Sequence, residues 1–204
     1  MKPLVYIAHP RLDRSEISGP LFDVAGQTEG VTCVDLYGEY PTFEIDVARE
    51  QRRLVDHDAI VFLHPIYWYS APAIVREWQD LVLEHGFAYG KHGHALDGKV
   101  TLNAVSCGAL ESSYRPEGGN GAYLRDLLAP FEKTADLCGM RYLAPFAIYG
   151  AGRAVEEARR GDHVAAWRGL LTALRDDRLD IPAARAARTL NDIAASHAAA
   201  PETA

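Results

Sequence analysis

Residues 59–90 read AIVFLHPIYWYSAPAIVREWQDLVLEHGFAYG. The segment opens on Ala59–His64, a short run that is apolar up to its histidine and shows no alternation of polar and apolar sides. A run of that kind is a strand buried on both faces, the situation of a strand inside a parallel sheet. Beyond the loop from Pro65 to Ser70, the stretch Ala71–His85 carries Ile74, Trp78, Leu81, Val82 and His85 at helical spacing. Pro72 falls in the first turn, where a missing N–H costs nothing. Strand, loop and helix in this order make half of a βαβ unit.

Four further runs of the same character lie outside this segment: Leu4–Ala8, Val31–Tyr37, Val100–Val105 and Arg141–Tyr149. Helical patterns separate them at Glu16–Thr28, Asp46–Val55 and Tyr123–Cys138, and His163–Arg175 follows the last. Pro130 falls inside the Tyr123–Cys138 pattern and predicts a kink or break, with Gly139 as the stop. Strands alternating with helices throughout specify an α/β fold with a doubly wound, five-stranded parallel sheet. No linker or repeat divides the chain. The expected organisation is one domain over 1–182, then an Ala-rich helix and frayed tail over 183–204.

A chain of 204 residues fits one domain, and at that size about 70% of the unfolded surface is buried without staples. The net charge of −7, with no run of Lys or Arg, argues against nucleic acid. Cys33, Cys107 and Cys138 are scattered and odd in number, which disfavours both a disulfide framework and a thiolate metal site. The first residues lack the apolar core and cleavage site of a signal peptide, and no run approaches the ~18 apolar residues of a membrane span. The expectation is a cytoplasmic protein.

In a doubly wound sheet ligands bind beyond the carboxyl ends of the strands, where strand order reverses. Three segments of unusual composition fall there. The first contains His9, Arg11, Arg14, Ser15 and Ser18 ahead of a helix, a setting for a phosphate on free amides and a positive dipole end; equally, Ser15 is a simple cap. Neither a Gly-x-Gly-x-x-Gly nor a Walker lysine is present, so dinucleotide-fold and P-loop readings fail. The second, Pro65, Ile66, Tyr67, Trp68 and Tyr69, offers an aromatic platform for a planar heterocycle, although at least one ring is expected in the core or a subunit interface. The third, Ser106, Cys107, Gly108 and Ala109, lets backbone amides approach a ring edge, with Tyr114 and Asn120 as hydrogen-bond donors nearby; a mobile Gly-rich loop is the bland alternative.

The stretches A-H-P-x4-S near the N-terminus, Leu36–Asp46, His64–Ala73 and Trp78–Gly90 together resemble the NAD(P)H:quinone reductase branch of the flavodoxin-like fold. Within it the likeness is greatest to the ancillary flavoproteins of glutathione-regulated potassium-efflux systems. The resemblance implies sheet order 2-1-3-4-5 and one flavin per subunit, FMN in preference to FAD. The flavin phosphate would lie on His9, Ser15 and Ser18, and the ring against Pro65, Ile66, Tyr67, Trp68 and Tyr69. Residues Ser106–Ala109 would line its other edge. It implies a homodimer and ping-pong chemistry, with NAD(P)H as co-substrate and a quinone or related electrophile as acceptor. The rival implication is a regulatory subunit docking on a membrane antiporter at the inner membrane. The chain departs from the pattern in having Ser18 for an asparagine, Cys107-Gly108-Ala109 for T-G-G, and Asn120 for the histidine paired with the tyrosine at 114. Asparagine hydrogen-bonds but relays no proton.

Other candidates carry less. Lys91-His92-Gly93-His94 lacks a third ligand and reads as a solvated loop, and no metal site is expected. Asp80 and Glu84 share a helix face without a partner. A Gly-x-Ser-x-Gly elbow is absent, which removes the hydrolase reading.

Overall fold

The computed structural model describes residues 1–154 and 159–198. Its sheet is parallel, with strands β1 (Pro3–Ile7), β2 (Thr32–Asp35), β3 (Ala59–Pro65), β4 (Val100–Cys107), β5 (Arg141–Tyr142) and β6 (Phe146–Tyr149). The order is β2-β1-β3-β4-β5, and β6 continues along β4 beyond β5. The 2-1-3-4-5 arrangement expected from the sequence is the one observed. The helices are α1 (Ser18–Gln27), α2 (Leu36–Glu39), α3 (Val47–Asp56), α4 (Ala73–Val82), α5 (Leu124–Leu127), α6 (Ala129–Leu137), α7 (Ala151–Ala154), α8 (Arg160–Arg175), α9 (Ile181–Ala186) and α10 (Asn191–Ala198).

Alternation along the buried strands sends side chains to two cores. Leu4, Tyr6, Ile60 and Phe62 face α3, α4 and α6. Val5, Ile7, Val61 and Leu63 face α1, α8 and α10. The first core is organised around a buried carboxylate, Glu50 of α3, which is wholly inaccessible. It accepts from the hydroxyls of Tyr6 and Tyr40, each at 2.6 Å, and from the indole N–H of Trp78 at 3.0 Å, and it pairs with Arg53. Each of its lone pairs thus finds a donor, as burial of a carboxyl group requires. In the second core the Trp167 indole donates to the Leu21 carbonyl at 2.9 Å, locking α8 against α1.

Two strands differ from the sequence reading. The run expected over Val31–Tyr37 ends at Asp35, whose carboxylate accepts the Tyr37 N–H at 3.1 Å and turns the chain into α2. The run Arg141–Tyr149 is interrupted between Tyr142 and Phe146, where Pro145 has no N–H for a ladder and the Ala144 N–H instead donates to the Ala184 carbonyl of α9 at 3.0 Å. The Tyr123–Cys138 pattern breaks as expected, into α5 and α6, with Pro130 inside the first turn of α6. Where an Ala-rich helix and a frayed tail were expected after Pro182, α9, α10 and the turn between them bury Ala184, Ala194 and Leu190 respectively; residues 199–204 lie outside the described ones.

Candidate functional site

The carboxyl ends of β1, β3 and β4 converge, and hydrogen bonds tie together the segments that leave them. Ile66 N–H donates to the Ser106 carbonyl at 2.9 Å. The Ser18 and Ser106 hydroxyls, both buried, are 3.4 Å apart, so the start of α1 touches the end of β4. Ser15 accepts the N–H of Ser18, the first residue of α1, at 2.9 Å from three residues upstream; the cap position itself is Ile17, which makes no side-chain cap hydrogen bond. Half-buried His9 accepts the Arg11 N–H on Nδ1 at 3.2 Å, and burial lowers its pKa. Arg11 is engaged by Asp13 at 3.0 Å, whereas Arg14 is exposed and has no ion pair among the described residues.

The segment after β3 has an unusual backbone. Tyr67 and Ser70 exchange both backbone hydrogen bonds, at 3.0 and 2.9 Å, closing a two-residue turn. Such a turn needs positive φ at both central positions, normally supplied by Asn-Gly. Here the occupants are Trp68 at φ 49° and Tyr69 at φ 64°. Bulky residues in that region cost about 1–3 kcal/mol each and persist where the surroundings demand them. The rings gain no burial in return: Trp68 is 94% exposed, Tyr69 57% and Tyr67 41%. Pro65 is buried in the sheet, and Ile66 is half-buried.

His64 anchors this turn from below and is a residue whose part sequence reasoning missed. It is wholly buried. Nδ1 lies 2.9 Å from the Pro65 carbonyl, so it carries the proton and donates. Nε2 then accepts from Asn103 Nδ2 at 3.0 Å, and Asn103 Oδ1 accepts from the Tyr142 hydroxyl at 2.7 Å. Burial pushes the imidazole pKa down to about 4, so the ring is neutral near pH 7. The relay fixes the carbonyl at the root of the aromatic turn. Its signal in the sequence is a histidine ending an apolar strand beside an asparagine in the next.

In the third segment the side chain of Cys107 turns into the core, and burial pushes its thiol up to about 12. Its contribution to a ligand is therefore its backbone. Gly108 is exposed, and nothing lies within 4 Å of where a Cβ would stand. Half-buried Ala109 accepts the Gly150 N–H at 2.9 Å. Tyr114 is only 6% exposed; its ring packs 5.4 Å from that of Tyr149, and burial raises its pKa well above the ordinary value. The loop is folded rather than featureless: Asn120 N–H donates to the Ser113 carbonyl at 2.9 Å, and a Cβ on Gly118 would lie 2.4 Å from the Ser112 oxygen. Among the described residues no hydrogen bond joins the Asn120 side chain to Tyr114, so the structure brings together Ser15, Ser18, Ser106 and the aromatic turn but leaves that pair unconnected.

His92 and His94 are exposed, with His94 at 3.1 Å from Asp97, and no group of three potential metal ligands occurs among the described residues. No helix among them is long and apolar enough to cross a membrane.

Comparison with known proteins places this geometry. A family described as having a flavodoxin-like fold matches residues 1–171. The "Uncharacterized NAD(P)H oxidoreductase YrkL" of Bacillus subtilis (strain 168) is 47% identical over 150 residues, 74% of this chain and 86% of that protein. The glutathione-regulated potassium-efflux system ancillary protein KefG of Yersinia pseudotuberculosis serotype O:1b is 45% identical over 152 residues, 74% of this chain and 84% of its own length. Among solved structures, general stress protein 14 of Treponema denticola in complex with FMN is 38% identical with a TM-score of 0.75, covering 83% of this chain and 99% of that one. An NADPH-quinone reductase from P. pentosaceus is 29% identical with a TM-score of 0.73, covering 83% and 97%. The family match spans most of the chain, and the chain belongs to the flavodoxin-like family.

Proposed function

We propose that the chain is an FMN-dependent NAD(P)H oxidoreductase of quinone-reductase type, with FAD as the alternative flavin and a homodimer as its working form. The observation that carries the reading is the strained, exposed Trp68–Tyr69 turn set beside the buried Ser18–Ser106 contact. The residues present fit the group. Hydroxyls of Ser15 and Ser18, His9 and the start of α1 make a donor set for a phosphate. The empty space before Gly108 leaves room for a ring edge to approach backbone. Support also comes from relatives named NAD(P)H oxidoreductase and NADPH-quinone reductase, and from the FMN held by the Treponema protein.

A flavin held by these residues would supply the redox chemistry: hydride acceptance from NAD(P)H and two-electron reduction of a quinone or related electrophile that enters after the nucleotide has left. The chain's own residues bind, orient and exclude water. Trp68 and Tyr69 offer flat surfaces for stacking, and residues Ser106–Ala109 offer backbone to the ring edge. Tyr114, its pKa raised by burial, keeps its proton at neutral pH and serves as a donor rather than a base. Asn120 supplies hydrogen bonding without proton relay.

The test is an absorbance titration of purified protein with FMN and with FAD, followed by anaerobic NADPH and NADH and then a quinone. Bleaching of the flavin band and its recovery with quinone support the oxidoreductase. Flavin binding without reduction favours a second reading, supported by the KefG relative: a flavin-binding subunit that docks on and activates a potassium-efflux antiporter. Binding of neither flavin sinks both.

A further inference from the structure

The family match ends at residue 171, but the chain continues as a strap across the outer edge of β5 and β6. Arg125 of α5 donates to the Arg185 and Ala187 carbonyls at 2.6 and 2.5 Å. Leu190 N–H donates to the Pro145 carbonyl at 2.9 Å. Arg188 and Thr189 are thus held between two fixed points. They close a recess of about 180 Å³, open to solvent on one side, whose other walls include Tyr114, Tyr123 and Tyr149. The recess begins where the candidate site ends, since Tyr149 stands opposite Cys107 in the β4–β6 register.

Its lining is mixed in a telling way. The Arg188 guanidinium lies 4.0 Å above the Tyr123 ring, and Arg115 is exposed at the rim; neither has an ion pair among the described residues. Arg125 is already committed to the strap and to Glu132 at 2.8 Å. Glu111 and Glu117 also line the recess, so a bare polyanion suits it poorly. The lining matches the chemistry of a phosphorylated purine nucleoside. A phosphate would meet the guanidiniums of Arg115 and Arg188, a ribose hydroxyl and the adenine amino group would donate to Glu111 and Glu117, and a flat base would lie against a tyrosine.

We propose that this recess takes the adenosine 2′-phosphate portion of NADPH, and that Arg188, delivered by the C-terminal strap, makes the chain prefer NADPH over NADH. The assignment rests on the oxidoreductase reading above. It is tested on the full chain, with and without FMN, by calorimetry with adenosine 2′,5′-bisphosphate and adenosine 5′-monophosphate. The bisphosphate should bind about tenfold more tightly, and Arg188→Ala should remove most of that difference while leaving the monophosphate unchanged. Arg115→Ala, an exposed change that leaves the strap untouched, should act in the same direction. In turnover, Arg188→Ala should raise KM for NADPH about tenfold and leave NADH unaffected. Equal binding of the two probes, or wild-type discrimination in an Arg188→Ala protein with an unchanged unfolding midpoint, overturns the proposal. Probe binding needs no flavin reduction: discrimination without NAD(P)H oxidation defeats the oxidoreductase reading alone, and oxidation without discrimination defeats the recess alone.

Discussion

Trp68 and Tyr69 hold backbone angles that glycine adopts freely, on a surface where neither ring is buried. Replacing Trp68 by glycine should therefore stabilise the flavin-free protein by about 1 kcal/mol, by releasing strain, and weaken FMN binding about tenfold by removing a stacking surface. Denaturant midpoints and a flavin titration on the same variant check both signs, and a loss of stability would show the turn is not strained. His64 gives a second expectation. Its folded-state pKa of about 4 lies below the ordinary 6.5 of the unfolded chain, so the unfolded state binds the proton more readily between those values. Its contribution is whole above pH 6.5 and is lost as pH falls towards 4, by about 3 kcal/mol in all. Chemical denaturation from pH 7 to 4.5 should show this decline, shallower in His64→Gln. Much of the candidate site was legible because its composition is unusual: consecutive aromatics between prolines at a strand end, hydroxyls before a helix. The strain was not legible, since YWYS lacks the Gly or Asn that announces positive φ. Nor was the burial of Tyr114, which depends on Tyr149 arriving from a strand distant in sequence.

At the scale of elements, the buried strands could be read from runs such as Ala59–His64 because a strand covered on both faces must be apolar throughout. The edge strand was harder. Its interruption at Pro145 and the close of β2 at Asp35 are decided by hydrogen-bond partners, the Ala184 carbonyl and the Tyr37 amide, that apolar patterning does not encode. The outer side of β6 is a case of the same kind. Asn191, at the first turn of α10, accepts the Ala147 N–H at 2.9 Å and donates to the Ala147 carbonyl at 2.7 Å, occupying both backbone groups of an edge residue. An edge so covered cannot recruit another strand. Asn191→Ala should cost about 1–3 kcal/mol, leaving two peptide groups without their partner, and should accelerate hydrogen exchange at the Ala147 amide selectively. Unaltered exchange at Ala147 would mean that the backbone of β6 is protected by other means.

At the scale of the molecule, the segment beyond residue 171 decides whether the chain is a flavodoxin-like domain with an appendage or one folding unit. Sequence pattern favoured the appendage, because alanines carry little hydrophobic periodicity. The contact they make needs none. A Cβ on Gly169 of α8 would lie 2.7 Å from the Ala198 nitrogen, so α10 sits on a helix surface stripped of side chain, and small residues are what allow that approach. Leu179, Ala184, Leu190 and Ala194 are at most 6% exposed and complete the core that β1, β3 and β4 share with α1 and α8. Burying the two leucines alone contributes about 2 kcal/mol each, and with the alanines and edge hydrogen bonds the sum approaches about 6 kcal/mol. That is of the same order as the whole stability of a typical domain, about 5–15 kcal/mol. A chain ending at Arg178 should accordingly fail to give a cooperative unfolding transition, or give one at much lower denaturant, and should expose the edge of β6 to association. The full chain should unfold in a single transition by both fluorescence and circular dichroism. If the shortened chain instead unfolds at the same midpoint as the full one, residues after 178 are decoration and the strap that carries Arg188 is not part of the fold's stability.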